Sequence, residues 1–240
     1  ADPGFAPMPP ERLLDPRRLA ERVEAVRRGS AQRWPAPRPA DGGTAYFCTA
    51  DGDGMGVSII QSNFHGIGAG ISAGETGVWL QNRGAGFTLE PGHPNRAGRG
   101  KRPLHTLAPT LWSDGGELRL LLGTRGGHQQ PQYVLQTAAL LFGAGLSPTE
   151  AQEAPRWSMD HAAAGTTSHL MMERRSPTAI VDGLRGRGHR VDLHDDYPPG
   201  WGPVSVIAAK PGGWDAAADP RVTTAAAVAP GAGETPAPPR

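Results

Sequence analysis

Residues 44–62, TAYFCTADGDGMGVSIIQS, constrain the fold more than any other stretch. TAYFCTA and MGVSIIQS carry the β-branched and aromatic residues of strands and flank Asp51-Gly52-Asp53-Gly54. Asp and Gly tolerate the positive φ that tight hairpin turns demand, so the stretch predicts two antiparallel strands joined locally. PTLW (109–112) and ELRLLLG (117–123), joined by Ser113-Asp114-Gly115-Gly116, repeat the pattern. VWLQN (78–82), HLMMER (169–174), HRVDL (189–193) and VSVIAAK (204–210) read as further strands.

Helical spacing is confined to a few segments. At 15–28, Asp15 can cap, Pro16 suits a first turn, and Leu19, Val23 and Val26 recur before Gly29. QPQYVLQTAALLFG (130–143) is apolar at helical spacing, and Ser147, Pro148 and Glu150 open a capping-box helix that runs to Ala154. Ser176-Pro177 begins another that ends near Gly188. Strands, two helices, a strand, a helix and strands in that order predict an α+β fold. Antiparallel sheets with helices outside suit it better than a doubly wound sheet. There is no internal repeat. Thirty-four Gly and 25 Pro in 240 residues imply many turns, and SAQRWPAPRPADGG (30–43) reads as an extended linker. The segment from Ala227, ending in VAPGAGETPAPPR, reads as a disordered tail.

Several function classes are excluded. A net charge of +1 gives no footprint for nucleic acid or a membrane surface, and no run of 18 apolar residues suggests a span. The lone Cys48 rules out an intramolecular disulfide and a cysteine-based zinc site and reads as a small core residue. The eight histidines form no HExxH pattern, no metal is expected, and Asp51 and Asp53 read as turn residues.

What remains is the position of Thr44, behind Gly42-Gly43 and ahead of the first strand. A threonine hydroxyl is a weak nucleophile unless a base sits beside it, and its own α-amine can be that base. Such an amine titrates at about 7.7–8.0, so much of it is unprotonated near neutral pH. It exists only if the Gly43–Thr44 bond breaks. Gly43 leaves the carbonyl open to attack by the Thr44 hydroxyl.

Thr44 with Asp51-Gly52-Asp53-Gly54, GAGISAGETGVWLQN (68–82), GKRPLHTLAPT (100–110), GTRGGHQQPQ (123–132), APRW (154–157) and Asp219-Pro220-Arg221 occur in one order. With them, the chain from 44 to about 220 resembles the small subunit of the gamma-glutamyltransferase family, self-cleaving N-terminal-nucleophile enzymes. Residues 1–43, with ADPGF, resemble the end of the large subunit. The resemblance implies a four-layer αββα sandwich, partial here because most of the large subunit lies upstream. That part would include an arginine that binds the donor carboxylate. The segments 1–43, 44–226 and 227–240 would be large-subunit tail, catalytic domain and disordered tail.

By the same resemblance Thr44 is nucleophile in both self-cleavage at Gly43–Thr44 and catalysis, and Ser62 orients it. Gly126 and Gly127 supply oxyanion-hole N–H groups, each worth on the order of 3 kcal/mol to a transition state. The implied reaction is acyl transfer from a small amide or γ-glutamyl compound to water or an amine, without a cofactor.

Four departures fall on acyl-group recognition. Gly86 stands where a carboxylate would hold the substrate's α-ammonium, and Arg83 at an amide-bearing position. His105-Thr106 replaces a serine pair, and Phe64 replaces an asparagine, with Asn63 one place early. A buried ammonium facing Arg83 with no counter-charge would cost several kcal/mol. An acyl chain without the α-amine, such as glutaryl, fits better, with its carboxylate held by Arg83 or Thr106. An acylase of that kind, and an uncleaved non-enzymatic fragment, are the alternatives to a γ-glutamyl enzyme.

Overall fold

The computed structural model describes residues 2–7, 9–27, 29–30, 43–159 and 169–229. Residues 31–42 of the expected linker, His161 and 230–240 of the expected tail lie outside them. Nine strands and five α-helices are described: α1 (Pro10–Leu13), α2 (Pro16–Arg27), β1 (Thr44–Ala50), β2 (Gly56–Ser62), β3 (Thr110–Asp114), β4 (Glu117–Thr124), α3 (Gln130–Ala138), α4 (Pro148–Glu153), β5 (Trp157–Met159), β6 (His169–Glu173), α5 (Thr178–Gly186), β7 (Arg190–His194), β8 (Val204–Lys210) and β9 (Gly213–Ala217).

β1 and β2 pair antiparallel from Thr44 opposite Ser62 to Ala50 opposite Gly56. The turn holds this register because the Asp51 carboxylate accepts the N–H groups of Asp53 and Met55 at 3.0 and 2.9 Å. β3, β4, β8 and β9 form an antiparallel sheet in that order. The hairpin stacks on it. A Cβ at Gly123 would lie 2.2 Å from the Tyr46 ring, and one at Gly56 2.4 Å from Leu118 Cδ2. Glycine at both places lets the two β layers approach closely.

From Leu120 onward β4 is sealed on both faces. Leu121 lies toward Gly56 of the hairpin, while Leu120 and Leu122 join Tyr133, Val134 and Ala138 of α3 and Val204 and Val206 of β8 in the main core. That explains its unbroken apolar run, which a half-buried strand would interrupt with polar residues. The order hairpin, sheet, helices gives three of the expected four layers among the described residues. The outer face of β1–β2 stays open, with Phe47 51% exposed and Val57 and Ile59 each 40%.

A smaller sheet, β5–β6–β7, carries α5 over Met172, Val181 and Val191. Here β6 and β7 run parallel, because the chain crosses over through α5. Two buried arginines tie this unit to the rest. Arg156 pairs with Asp219 at 2.5 Å, and Arg221 reaches Glu173 at 2.6 Å and Asp219 at 3.1 Å. The sequence motifs APRW and Asp219-Pro220-Arg221 thus meet in one ionic cluster. Among the described residues no helix is long and apolar enough to cross a membrane.

One strand expectation fails. Residues 78–82 form no named strand; only Trp79 bridges, to Ser72. The segment does fold back: the Ala69 N–H donates to the Leu80 carbonyl and the Leu80 N–H to the Ile71 carbonyl. Gly68, Gly70, Gly74 and Gly77 all have positive φ, and the 3₁₀ turn Gly74–Thr76 interrupts the ladder. Elsewhere α3 stops at Ala138 and the rest of the expected helix, Ala139–Gly143, winds as a π-helix. β5 and β9 were not foreseen.

Candidate active site

Thr44 is the first residue of β1, and its side chain points to the inner face of the hairpin along with Tyr46 and Cys48. Its hydroxyl donates to Ser62 Oγ at 2.9 Å, the residue directly across the ladder. Ser62 Oγ also accepts the Phe64 N–H at 3.0 Å. Two donors on one oxygen fix the Ser62 rotamer, and with it the direction of the Thr44 hydroxyl. The Phe64 bond requires a turn straight after β2. Phe64 sits at φ 77, a left-handed conformation costly for a residue with a side chain.

Phe64 is buried, and the Arg83 guanidinium lies 5.1 Å from its ring centroid. Arg83 opens the 3₁₀ turn Arg83–Gly86 and is 4% exposed. Nη1 donates to Thr106 Oγ1 at 3.1 Å, while Nη2 is buried with no hydrogen-bond partner. No carboxylate pairs with Arg83 among the described residues. Burial lowers its affinity for a proton, yet a guanidinium remains charged at any working pH. His105, exposed beside Thr106, is pushed down first by desolvation and then by the Arg83 charge. The structure thus brings Thr44, Ser62, Phe64, Arg83 and Thr106 into one connected line. Asn63 is joined differently: its carbonyl accepts the Asn82 N–H at 3.1 Å, and its side chain lies against Gly68.

Gly126 and Gly127 follow β4, at φ 127 and 55, and lead through a 3₁₀ turn into α3. Among the described residues neither N–H is donated to an acceptor. Thr44 and Arg125, the residue before Gly126, line one cleft of about 460 Å³. Tyr133 of α3 wedges under that turn. A Cβ at Gly126 would lie 2.8 Å from its ring, and one at Gly202, at the same edge of the ring, 1.9 Å. The Tyr133 hydroxyl is anchored to Ser158 Oγ at 2.6 Å, and burial raises its pKa. Gly43 lies near the Gly66 carbonyl, 3.4 Å from where its Cβ would be.

Sequence reasoning named Thr44, Ser62, Arg83, Thr106 and the glycine pair but missed their supports. Asn82 binds the backbone of His65 and Gly68, closing the loop after β2. Asn95 joins the Arg83 turn to the Thr106 loop, donating to the Gly86 carbonyl at 2.7 Å and accepting the Leu104 N–H at 3.0 Å. The one advance signal for either is an asparagine in a glycine-rich loop, which is not specific.

The chain is similar to known proteins. The family profile described as Gamma-glutamyltranspeptidase matches residues 1–229. The chain is 36% identical over 221 residues to a glutathione hydrolase-like proenzyme, YwrD, of Bacillus subtilis, covering 92% of this chain and 42% of that protein. It is 33% identical over 229 residues to an oxamate amidohydrolase proenzyme of Klebsiella pneumoniae, covering 94% and 43%. Among solved structures, a cephalosporin acylase from Bacillus halodurans superposes with a TM-score of 0.72 at 32% identity, over 92% of this chain and 39% of the other. The chain therefore spans less than half the length of these relatives. Their fold is the layered α+β arrangement described above. By the profile over nearly its whole length and by these identities, the chain belongs to the gamma-glutamyltranspeptidase family.

Proposed function

We propose that this chain carries the nucleophile and oxyanion hole of a self-cleaving amidase or acyltransferase, and that its donor bears an anionic acyl group without an α-amine. The observation that carries the first part is the Thr44–Ser62 hydrogen bond of 2.9 Å at the first ladder position behind Gly43. In self-cleavage the Thr44 hydroxyl attacks the Gly43 carbonyl, the C–N bond breaks, and the acyl group moves to oxygen. Water then hydrolyses that ester, leaving a carboxylate on Gly43 and a free amine on Thr44. That amine takes the hydroxyl proton in the catalytic cycle, Gly126 and Gly127 N–H groups stabilise the oxyanion, and the proton passes to the leaving amine. An acyl ester on Thr44 is left for water or an amine acceptor. Residues 44–226 would form the catalytic unit, with 1–43 as the tail of the piece upstream of the cut and 227–240 as a terminal tail.

Arg83 supports the donor assignment. A buried guanidinium with an unpartnered Nη2 and a hydroxyl on Nη1 matches a carboxylate, which would accept from both Nη2 and Thr106. A γ-glutamyl α-ammonium in the same place would meet like charge. One relative is named for oxamate, an amide that itself carries a carboxylate and no amine.

Hydrolysis of glutaryl and γ-glutamyl p-nitroanilides by the protein and by Thr44→Ala tests both parts. The glutaryl compound should be the better substrate by about tenfold or more in kcat/KM, since one unit charge misplaced at such a site costs more than 1.4 kcal/mol. Thr44→Ala should abolish both reactions. Preference for the γ-glutamyl compound overturns the donor assignment, and turnover by Thr44→Ala overturns the nucleophile.

A further inference from the structure

The loop that carries Thr106 has no regular structure, so something else must hold it against Arg83. Three buried side chains do, each accepting a backbone N–H. Asp2 takes that of Arg102 at 2.8 Å, Asn95 that of Leu104 at 3.0 Å, and Gln130 that of Ala108 at 3.1 Å. Asn95 and Gln130 lie downstream of Thr44, beside the site. Asp2 does not. It lies 100 residues before Arg102 in the chain and on the far side of the Gly43–Thr44 bond.

Asp2 is only 5% exposed, and both its oxygens are occupied. Oδ1 accepts from Gly4 N at 3.0 Å and Arg102 Nη2 at 3.3 Å, and Oδ2 from Arg102 N at 2.8 Å and Arg102 Nε at 3.4 Å. The shortest of these is the backbone bond. The Arg102 side chain is 78% exposed, so its ion pair adds little in water. Asp2 therefore acts on the loop through the main chain, where a charge-assisted bond is roughly twice as strong as a neutral one. These bonds hold its carboxyl at about 2, below the ordinary 3.8, so it stays ionised at neutral pH.

We propose that Asp2 is a positioning residue of the acyl-donor site: from the piece upstream of the cut it fixes residues 102–108 and so presents Thr106 to the donor beside Arg83. This rests on the donor site proposed above. It means that the upstream piece contributes to the donor loop after cleavage.

The test compares cleaved wild type with Asp2→Ala, Asp2→Asn and Arg102→Ala. Steady-state kinetics with glutaryl p-nitroanilide are normalised to the acyl burst, and amide hydrogen exchange is followed across 102–106. Losing one charge-assisted bond should raise KM about tenfold in Asp2→Ala, with kcat per active Thr44 within about twofold. Asp2→Asn, which keeps an acceptor for the Arg102 N–H, should recover part of the loss. Arg102→Ala, which keeps the N–H itself, should shift KM less than Asp2→Ala. Exchange at 102–106 should quicken in Asp2→Ala while β1–β2 stays protected. An unchanged KM, or a loss of protection that includes β1–β2, overturns the proposal. The exchange measurement needs no turnover. Unaltered protection at 102–106 in Asp2→Ala therefore overturns it even if neither anilide is a substrate and the parent reading fails.

Discussion

Arg83 keeps a guanidinium 4% exposed with no counter-charge among the described residues, held by one hydroxyl and the face of Phe64. A charge buried in this way costs several kcal/mol before any ligand arrives. A residue serving only the fold would be better as an apolar side chain of similar length. Arg83→Leu should therefore leave the melting temperature unchanged or raise it, while raising KM for a glutaryl donor by about 100-fold through loss of a charge-assisted contact worth roughly 2–3 kcal/mol. Calorimetry and anilide kinetics on the same preparation check this. A lower melting temperature with unchanged KM would make Arg83 structural. Thr44 has the opposite character, since its hydroxyl is uncharged and donates to Ser62 Oγ at 2.9 Å.

At the scale of elements, the geometry of the oxyanion turn is set by a ring on a helix. Tyr133 of α3 fills the space that a Cβ would need at both Gly126 and Gly202. Gly202→Ala, in a segment remote in sequence from Thr44, should displace that ring from the edge it shares with Gly126. A loss of about 1–3 kcal/mol of stability is expected from overpacking, together with a fall in kcat larger than any change in KM. Denaturant melts and kinetics check it, and unchanged kcat would separate the turn from the ring. This coupling was not legible in the sequence, because nothing local connects residue 202 to residue 126. The hairpin β1–β2 was, because its turn chemistry lies within four residues of both strands. The capping box at Ser147 and Glu150 was too. VWLQN misled because its alternation fits a strand, while the glycines at 68, 70, 74 and 77 bend the segment away from a ladder. β5, three residues long, offers too little pattern to read.

Over the whole molecule the buried Arg156–Asp219–Arg221–Glu173 cluster ties the smaller sheet to the rest, and Asp2 ties the start of the chain to the Thr106 loop. The layer order came from the family resemblance, while the two-sided burial of the second half of β4 emerged only in the structure. The recognition of Thr44 needed more than local pattern, since a threonine after glycine is common. It came from six motifs in fixed order, and the fold brings two of those, APRW and Asp219-Pro220-Arg221, into direct contact. The central claim is that the backbone breaks ahead of Thr44 and turns its hydroxyl into the nucleophile. The most direct test is the intact mass of the protein after incubation at neutral pH, beside Thr44→Ala. Two species are expected, one ending at Gly43 and one beginning Thr44-Ala45-Tyr46, while Thr44→Ala stays whole. A protein that turns over substrate with the Gly43–Thr44 bond intact would contradict the account.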